Sequence, residues 1–296
     1  MAEILKPSNL SLTWASGGDI LDPGNTKYAT GWQVEIPPRQ WFNYLDNRQD
    51  EAIAHINQHG IAVWDNVTEY QASKSYVQGS NGKIYVAIQT HTNQNPVTDV
   101  SEVFWAELAV NGLTIFTAST TWTVPAILKL GIKKPKVTVI GGGGGGGRGT
   151  ATSLRGGGGG GGGRAIKFVD LTNMSNISIT VGGGGAGTSD LGGTGTAGGS
   201  SSFGTFCSAT GGGGGGGEAG AEAGGVSGAG VGGDLNDGLG DGSDGGASSG
   251  TGGGPGGRGS FDGESNGKGY GGGGGGVSSF VASSGSGATG VIIVEW

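Results

Sequence analysis

The chain has 296 residues, 74 of them glycine and only 8 proline, with a formal net charge of −7. That length accommodates two or three domains, and an acidic balance with 16 lysines and arginines argues against a nucleic-acid groove. No apolar stretch approaches a membrane span, no basic-then-apolar signal opens the chain, and a lone cysteine, Cys207, excludes an intrachain disulfide framework.

In residues 1–35, Leu10 to Trp14 and Tyr28 to Glu35 are short alternating segments separated by Gly17-Gly18 and Asp22-Pro23-Gly24, which predicts strands and turns. Pro37-Pro38 then precedes a predicted helix from about Arg39 to His59, with Gly60 as its stop. Phe42, Leu45, Gln49, Ala52 and Ile56 follow at 3-4-3-4 spacing, the seam of a short coiled coil. The same face is also compatible with packing on its own domain.

Between 61 and 110, Trp64, Tyr70, Tyr76, Tyr85 and Phe104-Trp105 have the spacing of a small aromatic-cored β module. One or two of these rings could remain exposed for stacking on a sugar; otherwise the module is a spacer.

From 111 onward the composition changes: only seven of the glycines precede that point. Contiguous runs span 141–147, 156–163, 182–185, 211–217, 252–254 and 271–276, unlike the every-third spacing of collagen. A flexible coil is one reading, since glycine-rich chains lose much entropy on ordering. The other is a bundle of polyglycine helices with three residues per turn, packed backbone to backbone and paired laterally. Apolar strand-like segments seal the region: Lys136 to Ile140 before the first run, and Val291 to Trp296 at the close. Ala165 to Leu171 and Ile177 to Val181 predict a hairpin around the turn 172–176. The packed reading follows, with a fold class of mainly β and polyglycine-II helices and one short α-helix.

The residues suggest no catalytic set. His55 and His59 have helical i, i+4 spacing but lack the metalloprotease glutamate. Asp234, Asn236, Asp237, Asp241 and Asp244 could cradle calcium, yet the calcium-binding nonapeptide repeat is not reproduced. We expect no metal, no cofactor and no enzymatic activity. Cys207 is expected to be a buried, inert thiol.

Phe116-Thr117, Thr121 to Pro125, Val137 to Ile140 running into glycine, Ser201 to Gly204, Ala209 to Gly212, Gly233 to Asn236 and Val291 to Trp296 together resemble the glycine-rich domain of phage tail fibres. More distantly, the runs are similar to polyglycine-sandwich adhesins at phage long-tail-fibre tips. Lys6 to Ser8 and Pro37 to Asn43 resemble N-terminal fibre attachment domains, and the aromatic skeleton of 61–110 resembles small chitin-binding-type carbohydrate modules. The resemblance implies three parts: attachment and oligomerisation (1–60), a carbohydrate-module-like β domain (61–110) and a receptor-binding tip (111–296). It implies a homotrimer at the tip of a virion tail fibre, assembled in the host cytoplasm. Its partners would be baseplate or other tail-fibre proteins, and an outer-membrane protein or lipopolysaccharide or polysaccharide receptor.

Contacts are expected where the runs break: Arg148, Leu154 and Arg155 on the first connection, Asp241 on an acidic excursion, and Phe261 and Tyr270 on the last. Glu218 to Val231 reads as another connection. If successive runs alternate in direction, alternate connections share one end. A structural or ice-binding glycine-helix protein and a surface-glycan depolymerase are the other readings.

Overall fold

The structure, a computed structural model, describes residues 14–32, 36–109, 111–151, 154–217, 223–238 and 265–296. The chain divides into two compact units, Met1–Ala109 and Val110–Trp296.

In the first unit, α1 (Asn25–Thr30) replaces the strand expected from Tyr28 onward. Gly24 takes φ 84°, its amide bound to Asp22 Oδ1 at 2.7 Å, and its carbonyl accepts the Lys27 and Tyr28 amides. A local turn thereby overrides the alternating pattern. Residues 10–13 and 33–35 of the two expected strands lie outside the described residues. The long helix α2 (Arg39–His59) begins after Pro38 and stops at Gly60, whose φ of 73° suits glycine and whose amide donates to the Ile56 carbonyl.

Five short strands follow: β1 (Glu69–Tyr70), β2 (Tyr76–Gln78), β3 (Ile84–Ala87), β4 (His91–Thr92) and β5 (Trp105–Glu107). β1 pairs with β4, while β2, β3 and β5 form an antiparallel sheet in that order. Tyr70, Val77, Tyr85, Ala87 and Trp105 are buried together, with Trp64 and Phe104 packed against them. The aromatic spacing therefore encodes a core.

The second unit opens with β6 (Leu113–Phe116), β7 (Thr120–Thr123) and the single-turn α3 (Ala126–Lys129). β8 (Lys136–Ile140), β9 (Arg164–Phe168), β10 (Asn176–Thr180), β11 (Ser201–Phe203), β12 (Cys207–Ala209), β13 (Gly230–Val231), β14 (Leu235–Asp237) and β15 (Val291–Glu295) complete it. They form two five-stranded antiparallel sheets, ordered β14-β9-β8-β15-β6 and β13-β12-β11-β10-β7. The expected hairpin of 165–171 with 177–181 is overturned: β9 pairs with β8 and β14, and β10 with β7 and β11. Val169 and Leu171, 1% and 0% exposed, are buried in the crossing between the sheets, so this segment changes layer instead of folding back.

Val137, Val139, Ile292 and Val294 of one sheet and Ile177, Ile179 and Phe203 of the other are buried. Trp122 lies about equally close to Phe203 and Trp296, 5.9 Å from each ring centroid. Gly112 exchanges backbone hydrogen bonds with Trp296; a Cβ there would meet the Trp296 ring at 2.0 Å.

Glycine-rich stretches extend from these strands as eight runs: 141–147 (run 1), 156–163 (run 2), 182–188 (run 3), 193–199 (run 4), 210–217 (run 5), 223–229 (run 6), 271–277 (run 7) and 284–290 (run 8). Residues 223–229, expected in a loop, are thus a packed run. The amides of Gly141, Gly144 and Gly147 donate to Gly163, Gly160 and Gly157 of run 2. Those of Gly142, Gly145 and Arg148 donate to Gly199, Thr196 and Gly193 of run 4, and those of Gly143 and Gly146 to Ala288 and Gly285 of run 8. All eight bonds measure 2.8 to 3.1 Å. Donors three apart share a neighbour, the register of a helix with three residues per turn and no internal bonds.

The carbonyls of run 1 accept amides from three other runs: Gly212 and Gly215 of run 5, Gly185 of run 3, and Gly274 and Val277 of run 7. Run 1 is therefore the axis of a hexagonal bundle. Bonds between adjacent members close a ring of runs 2, 5, 4, 3, 8 and 7 around it, with neighbours antiparallel. Run 6 lies outside runs 2 and 5, and residues 265–267 lie outside runs 7 and 8.

This lattice explains which runs are pure glycine. A Cβ at Gly144 would stand 2.0 Å from the Gly213 oxygen, and at Gly145 2.0 Å from the Ala186 oxygen. One at Gly146 would stand 2.1 Å from the Gly275 oxygen. At Gly183, on the periphery, a Cβ meets nothing within 4 Å. Alanine, serine, threonine and valine occur only in the outer runs 3, 4, 6 and 8, in the final residue of run 7 and in the opening residue of run 5. Gly144→Ala should lower stability by about 3 kcal/mol or more in denaturant titration, because backbone cannot move aside. Gly183→Ala should leave stability unchanged or raise it by about 0.4–1 kcal/mol.

Candidate functional site

Runs 1, 3 and 5 leave β8, β10 and β12, while runs 2, 4, 6 and 8 return to β9, β11, β13 and β15. Run 7 is parallel to run 1, through Gly274 to Gly144 and Val277 to Gly147. The connections 148–155, 189–192 and 278–283 consequently meet at the end of the bundle away from the sheets. Local backbone hydrogen bonds hold them: the Leu154 amide donates to the Ala151 carbonyl, Gly193 to Asp190, and Val281 to Ser278.

Arg148 lies at the base of this end. Its Nη1 donates to the Ser189 carbonyl and its Nη2 to the Ser279 carbonyl, at 3.0 Å for the latter. One guanidinium thus joins the 189–192 and 278–283 connections. Arg155 forms an isolated bridge with Ser278, and Leu154 is half-buried beside it in sequence. Under the same two connections, the Thr188 amide donates to Ser284 Oγ at 2.7 Å, and the Ser284 amide to the Thr188 carbonyl at 2.9 Å. The buried Ser284 hydroxyl also reaches the Gly146 carbonyl of the central run.

Of the residues singled out in the sequence, Arg148, Leu154 and Arg155 come together at this loop end. Tyr270 lies at the opposite end, half-buried on Ile140, Val291 and Ile293 where the bundle meets the sheet. Asp241 and Phe261 lie outside the described residues. Two large apolar residues of this end escaped the sequence reading: Phe280, 74% exposed, and Leu191, 59% exposed. Their signal was apolar residues, a lone Leu191 and the triplet Phe280 to Ala282, in short serine-bearing steps between two runs. It was missed because 284–290, punctuated by Ser286, Ala288 and Thr289, had not been recognised as a run.

The other candidates are elsewhere. On α2, Phe42, Gln49, Ala52 and Ile56 are exposed and Leu45 is half-buried, whereas Asn47 and Ala54 are its buried positions. The seam therefore faces outward within its own unit. His55 Nε2 accepts the Val63 amide at 3.2 Å, while the His59 side chain lies outside the described residues. Asp234 Oδ2 accepts the Phe168 amide, Asn236 bonds both ways with Gly233, and Asp237 pairs with Arg164. These side chains fasten the β13–β14 turn and β14 to β9. Asp244 lies outside the described residues.

Residues 115–296, more than half of the chain, match the model of a glycine-rich domain family, and the chain belongs to that family. A search of curated proteins gave no match.

Cys207 is buried, and desolvation pushes its thiol up to about 11, with Lys167 pulling the other way. At pH 8 the thiolate is then on the order of one part in a thousand. Native protein should resist iodoacetamide at that pH and become alkylated in denaturant, as mass spectrometry would show.

Proposed function

We propose that this protein is a phage or prophage-derived tail-fibre adhesin that attaches to the bacterial surface through the loop end of its glycine bundle. The observation that carries the reading is the one-ended display: run pairs 1–2, 3–4 and 7–8 place their connections together, away from the sheets. Binding residues are commonly carried on loops held by a rigid scaffold. Here the scaffold is fixed by backbone hydrogen bonds, so little ordering entropy is lost on contact. The irregular loops, with exposed Phe280 and Leu191, favour recognition of a shaped receptor over the flat regular face suited to ice.

The mechanism is non-covalent adhesion, without a cofactor. The outward seam on α2 supports a homotrimer, in which three tips strengthen one weak contact by avidity. On this reading the N-terminal part joins the other tail-fibre or baseplate proteins, and the glycine-rich unit forms the virion's fibre tip. The receptor is an outer-membrane protein or a surface lipopolysaccharide or polysaccharide.

Purified chain should compete with phage for adsorption to one or more bacterial strains in a panel, and a receptor-deleted derivative should lose that effect. Failure to bind any strain would contradict the reading. Sedimentation should give a trimer, and replacing Ile56, 53% exposed, by Asp should dissociate it while leaving the glycine unit folded. A wild-type monomer would remove the avidity argument.

A further inference from the structure

We propose that Arg148 clamps the 189–192 and 278–283 connections into a single rigid platform, and that Leu191 and Phe280 on it receive an apolar side chain from a surface loop of a bacterial protein. This rests on the adhesin reading and chooses the chemical class of its receptor.

Geometry carries the clamp. The carbonyls bound by Arg148 belong to Ser189 and Ser279, two residues before Leu191 and one before Phe280. Below them, Thr188 and Ser284 bond the same two connections together, and the Ser284 hydroxyl ties both to the central run. Leu191 and Phe280 are therefore mounted on two connections that cannot move apart without breaking three sets of hydrogen bonds. Gly192, at φ 69°, permits the sharp return after Leu191, and a Cβ there would also meet Thr150 Cγ2 at 2.8 Å. Arg148 does not itself need to touch the receptor. It is a positioning residue.

Charge and polarity select the partner. Arginine is well suited to bidentate pairing with phosphate, but here both terminal nitrogens already donate to backbone carbonyls. Nε is buried as well, so a bidentate grip on phosphate would compete with the bonds that hold the two loops. Residues 110–296 hold ten lysines and arginines against eleven aspartates and glutamates, so the unit that bears the platform has no surplus positive charge to draw it to a polyanionic surface. What the platform offers outward is a leucine and a phenylalanine, 59% and 74% exposed, with the polar Ser189 and Asp190 exposed beside the leucine. An aromatic anchor with a polar rim fits a protein contact.

The test uses the full chain in two measurements. First, hydrogen exchange is compared between wild type and Arg148→Gln, with Arg148→Lys as a second variant in case the first does not fold. Exchange of the Gly193 and Val281 amides should accelerate together by about tenfold or more, while Gly143 and Gly146 stay protected. Unchanged exchange, or loosening of one connection alone, would overturn the clamp.

Second, binding is measured to outer-membrane vesicles from each strain of the adsorption panel, intact or digested with proteinase K, and to protein-free liposomes containing purified lipopolysaccharide. Binding should disappear on digestion, be absent from the liposomes, and weaken about tenfold or more in both Phe280→Ser and Leu191→Ser. Binding that survives digestion or appears on the liposomes would overturn the protein receptor. Full affinity in either serine variant would overturn the platform. If wild type binds no vesicle from any strain, the adhesin reading itself fails and the receptor class falls with it; the exchange result then decides the clamp by itself.

Discussion

Lateral pairing between backbones that carry no side chain is the constraint on which the glycine-rich unit depends. An extended threefold helix has no hydrogen bonds of its own, so each buried amide and carbonyl needs a partner on a neighbour. In run 1 successive amides point to three different runs in rotation, and successive carbonyls accept from three others. Six neighbours can approach because the Cβ positions are empty; backbone oxygen occupies almost the space where those atoms would stand. Many close Cα–H···O contacts between such backbones add weakly to the amide bonds. Dense pairing of this kind is what offsets glycine's large loss of conformational freedom.

The β-sheets supply what glycine lacks, a side-chain core that fixes register. β8, for example, is bound on both sides by β9 and β15 and buries Val137, Val139 and Ile140 before releasing the chain into run 1. A run that enters the bundle from a strand of fixed register has its threefold phase set, so its amides meet the correct neighbours. Tyr270 covers the junction on Ile140, Val291 and Ile293, and seals the step from packed side chains to packed backbone. At the other end, Arg148 and Ser284 replace hydrophobic packing with specific bonds to carbonyls. Order thus persists from the sheet core to the loops that the functional reading uses.

Much of this was legible in the residues. Uninterrupted glycine marked the axis, run 1, and its neighbours 2, 5 and 7, and the flanking segments 136–140 and 291–296 announced the strands that hold them. Gly60 announced the end of α2, and the aromatic spacing of 61–110 announced a core. Less legible were runs in which glycine alternates with small residues. Residues 223–229 and 284–290 look like loops until the lattice shows that Ala223, Val226 and Ala229 share one side of their run. Strand pairing was misread at β9 and β10 because alternation identifies a buried face without identifying the sheet to which it belongs. The loop end was visible through Arg148, Leu154 and Arg155, but its exposed Leu191 and Phe280 depend on where run 3 gives way to run 4 and run 7 to run 8. Local sequence does not carry that information; the neighbours of the run do.

Amide hydrogen exchange of the central run addresses this account most directly. The account places the amides of Gly142 to Gly147 among the slowest in the chain, with protection approaching that of β8 and β15, although this segment is neither α-helix nor β-strand. Exchange at the rate of an unstructured glycine peptide would contradict it: the bundle would then not exist in solution, and the loops would have no scaffold.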